Sequence, residues 1–449
     1  MMSKMAFRKT LGIPHLLRVL RQGFEEIPES RTGCKTPLAD HLMSGIAIFI
    51  LKYPSLLQFD QSRSCGNTQA NLKTLYGVDH IPCDTQLRTR LDAVNPEDLR
   101  FAFTSFFSLL QRGKVLEAFK YPINEKNEPS SDKKSEGYFL LSIDGTQSFS
   151  SSKVHCDNCC ERYHRNGNIT YYHQMLGAAI VHPGQSIVFP LAPEPIQRQD
   201  GDTKNDCERN ASKRLLTAIR REHPHAKFIV IEDGLASNAP HINLLKDLNY
   251  NFILGAKPKD HKKLFEAVEA SKETKNYVYT DNKKVKHTFR YLNNVSLNNS
   301  SDVKVNFFEY WETSPSGKVQ HFSWVTDFFI TEENIMNLMR AGRARWKIEN
   351  ETFNTLKNQG YHFEHNFGHG QEHLANVMVN LMFLAFYIDQ IQLACSPSFQ
   401  RALKKAKSKV RLWQKLRASW DCFLIPDWET YYSGISDGLK PIVIPVNTS

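Results

Sequence analysis

The sequence offers little that reads as a bilayer-spanning run, a secretory leader or an evenly spaced cysteine framework. A helical span needs about 20 predominantly apolar residues. The most apolar stretches, Leu42–Leu51 and Met378–Ile388, fall short of that and read as buried helices. Residues Met1–Arg18 include basic side chains, but no apolar segment followed by a small-residue cleavage site. Cys34, Cys65, Cys83, Cys207, Cys395 and Cys422 are scattered, and only Cys156, Cys159 and Cys160 cluster. That usage fits a reducing compartment with thiols free or on a metal, so a cytoplasmic protein with no membrane partner is expected. No segment repeats at a fixed period.

What the chain does have is size and positive charge. Its 449 residues suffice for more than one core, and 41% hydrophobic with 23% charged residues is an ordinary globular composition. The net charge of +10 favours polyanions such as nucleic acid.

The hydrophobic periodicity divides the chain into five stretches. Residues 1–121 read as a helical domain, with helical spacing in His15–Phe24, Leu38–Leu51 and Asp84–Val94. Asn67–Tyr76 and Asp84–Val94, joined by Gly77–Cys83, can form a helix-turn-helix with Arg88 and Arg90 on the DNA-reading helix. Two packed helices with surface arginines are the alternative. Residues 122–137 are polar and turn-prone, as in a linker. Residues 138–256 and 332–395 alternate strands and helices, the signature of an α/β domain mixing an antiparallel hairpin with parallel strands. Between them, 257–331 is polar with strand-like alternation, a β-rich insertion. Residues 396–449 form a basic C-terminal region. Arg401–Arg417 holds eight basic residues and no acid. With Trp413 it could follow a phosphate backbone, or it could be a solvated helix face.

Two aspartates share a context. The apolar run Tyr138–Ile143 leads to Asp144-Gly145, and Lys227–Ile231 leads to Glu232-Asp233-Gly234. Each aspartate is expected to end a strand and face the crevice at the sheet edge. A pair of them can share Mg²⁺, an oxygen-seeking ion. A third carboxylate allows a second ion about 4 Å away, so that attacking and leaving oxygens of a phosphodiester are both clamped. Asp-Gly is also a common turn. The third candidate is Glu349, which at helical spacing shares a face with Arg345, Phe353 and Leu356; Glu351 lies roughly 200° away around the helix. A surface Arg–Glu pair is the alternative there.

Cys156 and Cys159 form a C-x₂-C pair, and His164 follows after four residues. Such intervals can wrap a tetrahedral structural Zn²⁺, with His155, Cys160 or His173 as a fourth ligand; a metal-free loop is the alternative, because a second C-x₂-C pair is missing. His362, His365 and His369 do not have convincing metal spacing and receive no role.

Ser142–Thr146, Ile229–Leu235 and Arg345–Glu349 resemble the motifs of bacterial insertion-sequence transposases of the Asp-Asp-Glu class, in the group that carries its glutamate in a Tyr-Arg-Glu-Lys motif. Lys204–Glu208 and Asn358–Gly370 are similar too, so the resemblance covers roughly 138–390. It implies a ribonuclease H-like catalytic domain with a β-rich insertion, preceded by a helical domain and followed by C-terminal helices. Asp144, Asp233 and Glu349 would be catalytic and bind Mg²⁺, with Mn²⁺ as a substitute. The spacings of 89 (233 − 144) and 116 (349 − 233) leave room for the insertion. The implied activity is DNA cleavage and strand transfer, on the ends of a mobile element and its target, by a homodimer assembled on DNA. Arg345 fits the motif and, with Lys357, would contact phosphate. The family tyrosine falls on Gly342, and the family lysine on Leu356, one residue before Lys357. Two other readings stay open: a transposase-derived DNA-binding protein without catalysis, and a ribonuclease H-like nuclease that does not transfer strands.

Overall fold

The structure, a computed structural model of the chain, describes residues 9–29, 35–123, 137–201, 204–298 and 301–438. The expected linker therefore falls, at 124–136, outside the described residues. In chain order the principal helices and strands are α1 (Ile13–Glu25), α2 (Leu38–Ile50), α3 (Leu56–Ser62), α4 (Gly66–Tyr76), α5 (Asp84–Asp92) and α6 (Arg100–Arg112), then β1 (Phe139–Ser151), β2 (Cys160–Tyr163), β3 (Ile169–Val181), β4 (Phe189–Pro190) and β5 (Glu194–Ile196). There follow α7 (Lys204–Glu222), β6 (Phe228–Glu232), α8 (Ala239–Asp247), β7 (Asn251–Gly255), α9 (Lys262–Ala270), β8 (Lys275–Thr280), β9 (Lys286–Ser296), β10 (Lys304–Thr313) and β11 (Val319–Thr326). The chain continues through α10 (Ile335–Arg343), α11 (Asn354–Asn358), α12 (Leu374–Cys395), α13 (Pro397–Ala406), α14 (Lys409–Trp420) and α15 (Trp428–Asp437). Contacts group these into two compact units, one of residues 116–147 and 173–353, the other of 1–115, 148–172 and 354–449.

The first of these units is built on a mixed sheet in the order β3-β1-β6-β7-β11-β10-β9-β8. β1, β6 and β7 are parallel neighbours. Phe228–Ile231 are all buried, as a strand covered on both faces requires. One covering helix is α7, which turns Ala211, Leu215, Leu216 and Ile219 inward. The polar stretch read as an insertion supplies α9 and the strands β8 to β11. It does not form a sheet of its own, because β11 pairs antiparallel with β7 through Trp324–Gly255 and Thr326–Ile253. Its packed face is aromatic: Phe308 and Phe322 stack on Trp324 with ring centroids 5.1 and 5.7 Å away.

The other unit is mostly helical. Every residue of α2 is buried, and α2 packs on α12 so closely that a Cβ on Gly45 would lie 2.6 Å from Leu381. α12 has 22 residues and is long and apolar enough to cross a membrane, twice the apolar run read from the sequence. Its most apolar window is 89% buried within the protein, as befits a core helix. Asp92, at the end of α5, accepts hydrogen bonds from the backbone N–H groups of Gln371, Glu372, His373 and Leu374, at 2.9, 3.1, 3.0 and 2.9 Å. Burial alone would raise its pKa, but the four amides outweigh burial and hold it below the ordinary value. One carboxylate thus ties down the segment that enters α12, taking the amide of its first residue, Leu374, together with the three amides that precede it. Asp92→Ala is expected to cost about 2–4 kcal/mol, since bonds to a charged group contribute most and their loss leaves amides unmet. Urea unfolding at pH 7 measures this, and a loss under about 0.5 kcal/mol contradicts it. Because the folded pKa is depressed, this stabilisation is present above the unfolded value and fades as pH falls through the folded one.

Candidate active site

The register of two parallel strands places the aspartates. Ser142 pairs with Ile231, so the same register carried two residues further sets Asp144 opposite Asp233. The strands then differ. β6 stops at Glu232 and leaves Asp233 exposed in the turn that follows, where its Oδ1 accepts the Leu235 N–H at 2.8 Å. β1 does not stop. It runs on to Ser151, so Asp144 is a mid-strand residue rather than a strand end, and the Asp-Gly turn is absent there. The residues after Gly145, Thr146-Gln-Ser-Phe, remain compatible with a strand beside β3. Asp144 therefore stands beside the point where its parallel neighbour ends.

Glu349 arrives from a helix that is not uniform. α10 ends at Arg343, a turn follows, and Ile348–Phe353 is a π-helical turn before α11. The even 3.6-residue spacing read from the sequence does not hold across it. Buried Ile348 and Phe353 anchor the turn, and Phe353 lies so near β3 that a Cβ on Gly177 would approach its ring to 2.8 Å. The Ser142 hydroxyl donates to the Arg345 carbonyl at 2.9 Å, tying the segment to β1. Arg345 Nη1 then lies 3.0 Å from Asp144 Oδ2 and 2.8 Å from Glu349 Oε1. Glu351 instead faces Lys347, at 3.9 Å.

One guanidinium nitrogen thus contacts both carboxylates. Burial, and next the neighbouring Glu349, push the Asp144 carboxyl up to about 7 against the opposing pull of Arg345 and the Gly145 amide. Carboxylates crowded in this way repel when both are ionised. A cavity joins Asp144 to Asp233 and is also lined by Glu208, Arg209 and Ser212. Glu208 is a fourth acid at this place. A Cβ on Gly145 would meet its carboxylate at 3.6 Å. Glu208 was visible in the sequence only as part of Lys204–Glu208; its helical phase with Ala211 and Leu215 is the signal that places it over the sheet. Next to it the Glu232 carboxylate is held by His241 Nε2 at 2.7 Å. A second cleft opens on the other side of Asp233, lined by Lys257, His321, Arg343, Arg345 and Trp346. Its rim is basic and aromatic, the composition that suits a nucleic-acid strand.

The other expected site residues lie elsewhere. Lys357 belongs to the other unit, 3.1 Å from Glu364, and its neighbour Leu356 is fully buried. α4 and α5 form two helices joined by Gly77–Cys83, with Arg88 exposed and paired with Asp84. Arg90 is buried and paired with Glu29. Trp413 is buried, its indole N–H donating to the Gln359 carbonyl at 3.1 Å, so it offers no stacking face. Arg401, Lys404, Lys405, Lys407, Arg411 and Lys415 are exposed. His164 is not with the cysteines: its Nε2 lies 2.8 Å from Thr170 Oγ1.

Gly342, at the place of the family tyrosine, has a packing reason. A Cβ there would lie 2.7 Å from the Trp324 indole nitrogen and 3.2 Å from Ile253. Even Gly342→Ala is expected to cost about 1–3 kcal/mol by overpacking, and Gly342→Tyr more. Thermal denaturation measures this, and a tyrosine variant as stable as the wild type contradicts it.

No family model matches the chain, and no curated protein matches it. Among solved structures it is similar to a chain of the piggyBac transposase synaptic complex with hairpin DNA, determined by cryo-EM. The TM-score is 0.41 at 11% identity, over 99% of this chain and 87% of that one.

Proposed function

We propose that this protein is a DNA transposase of the Asp-Asp-Glu class, which cuts and joins DNA strands with Asp144, Asp233 and Glu349. The observation that carries the reading is the convergence itself. The parallel register, carried two residues past Ser142, sets the two aspartates side by side, and Arg345 bridges Asp144, 201 positions before it, to Glu349. The sheet order supports a ribonuclease H-like core, with β1 between β3 and β6 and β7 beyond. Residues 257–331 then act as an insertion that lengthens the same sheet.

The donor set fits a divalent cation. All the donors are carboxylate oxygens, as Mg²⁺ or Mn²⁺ prefers, and two of them carry more negative charge than one arginine relieves. When bound, such an ion would acidify the attacking water or 3′-hydroxyl and stabilise the leaving oxygen of the phosphodiester. Asp144 must give up its proton to serve as a ligand. Arg345 orients both acids and, once their charge is met by metal, is free to bind a phosphate oxygen. Lys257 and Arg343 hold the strand along the cleft, and the exposed Arg88 contributes a backbone contact from α5. A homodimer would bring two element ends together.

The test is nicking of a labelled duplex carrying the element end, in Mg²⁺ and in EDTA. Cleavage only in Mg²⁺ supports the reading. DNA binding without cleavage in either condition would leave a non-catalytic descendant. Strand transfer from pre-cut ends separates a transposase from a nuclease that only hydrolyses.

A further inference from the structure

We propose that Cys156, Cys159 and His369, with His173 as the fourth donor, form a structural tetrahedral zinc site separate from the carboxylate site. The C-x₂-C segment is folded by a turn in which the Cys159 N–H donates to the Cys156 carbonyl at 3.1 Å, which brings both thiols to one side. Their sulfurs are 3.9 Å apart, and Cys159 Sγ lies 3.3 Å from His369 Nε2. With Zn–S near 2.3 Å and Zn–N near 2.0 Å, tetrahedral angles require about 3.8 Å between two sulfurs and about 3.5 Å between sulfur and nitrogen. The observed separations match those edges. The four ligand atoms, that of His173 included, all lie within 4.8 Å of one another.

The histidine is held in the form a metal needs. Its Nδ1 is 2.8 Å from the Gly370 carbonyl, so Nδ1 carries the proton and donates it there, and Nε2 keeps its lone pair toward Cys159. The next residue, Gly370, has φ +71°, and a Cβ at that position would come within 2.1 Å of Asp92. Asp92 in turn fixes Gln371 to Leu374. Phe149 packs on the His369 ring at 4.7 Å between centroids. The fourth donor follows from the hairpin. β2 and β3 pair Cys160 with Tyr172, and the register carried one residue further sets His173 opposite Cys159. His164, suggested by local spacing, is bonded to Thr170 instead.

Cys159 and His369 are 210 positions apart. Closing so long a loop costs chain entropy, and metal bonds offset such a cost directly. The site would bind the β2–β3 hairpin to the loop that starts α12. This assignment does not depend on the transposase reading, and its test does not involve DNA.

The full chain, exposed to Zn²⁺ and then desalted, is expected to hold one equivalent by elemental analysis. Co²⁺ in its place should give thiolate-to-metal charge-transfer absorption and the strong visible bands of a tetrahedral ion. Cys159→Ser and His369→Ala should lose the metal, whereas His164→Ala and Asp144→Asn keep it. Should the loss variants fail to fold, Cys156→His preserves a donor, and it should keep the metal with about half the charge-transfer intensity. A wild-type chain that retains under about 0.2 equivalents, or that carries a Cys156–Cys159 disulfide instead, overturns the site. So does an unchanged cobalt spectrum in folded His369→Ala.

Discussion

Asp144→Asn should abolish DNA cleavage, by about 10³-fold or more, and at the same time make the metal-free protein more stable at pH 8. The two effects have one cause. Cleavage needs an ionised ligand at this position, and each factor of ten in rate corresponds to about 1.4 kcal/mol of lost transition-state stabilisation. The same ionisation is unfavourable in the folded chain, because the carboxyl is buried beside Glu349 and is pushed up to about 7. For an acid whose folded pKa is raised, the native state binds the proton more tightly than the unfolded state. Stability is then greatest below the unfolded value near 4, and is lost as pH rises through 7. Asparagine cannot ionise, so the variant escapes that loss. The gain is about 1–3 kcal/mol at pH 8 and near zero at pH 4. Urea unfolding of both proteins across this range measures it. An aspartate kept for turn or packing reasons behaves oppositely: its replacement destabilises at every pH and leaves cleavage intact.

The second large effect couples metal and pH. Mg²⁺ should raise the melting temperature more at pH 8 than at pH 6, because the ion and a proton compete for Asp144. Below about 7, each pH unit lowers apparent Mg²⁺ affinity by up to about tenfold for one displaced proton. At a concentration near 100 times the dissociation constant, binding stabilises the fold by about 2.7 kcal/mol, so a tenfold weakening is readily visible. Glu349→Gln removes the neighbouring charge, one of the causes that raise Asp144. The variant should therefore show a smaller Mg²⁺ shift with a flatter pH dependence. Asp233→Asn should reduce the shift at both pH values. An Mg²⁺ shift that is the same at pH 6 and pH 8, and survives in Asp233→Asn, rules out binding at these acids.

Much of this arrangement was legible in the sequence wherever one physical rule dominated. Phe228–Ile231 reads as a buried parallel strand because both faces are apolar, and the aspartate after it follows directly. Arg345 and Glu349 keep their partnership even through a π-helical turn, since four positions still bring them together. Other features depend on tertiary context. β1 passes Asp144 because a neighbouring strand supports it, which no local pattern reveals. α9 was hidden in a polar stretch, where only Leu264 and Val268 mark the inward face of a helix. Arg90 has the charge of a DNA contact, but folding buries it against Glu29. Spacing along the chain points to His164 and not to His369, whereas the ring that faces the cysteines comes from 210 positions away.

The central claim is that Glu349 completes a catalytic set with the two aspartates, and the most direct measurement compares it with its near neighbour. Glu349→Gln and Glu351→Gln, each assayed for Mg²⁺-dependent cleavage of the element-end duplex at equal DNA occupancy, separate a residue beside Asp144 from one that faces Lys347. Cleavage lost in the first variant and retained within a few-fold in the second is the expected result. Full cleavage by the Glu349→Gln protein contradicts the account.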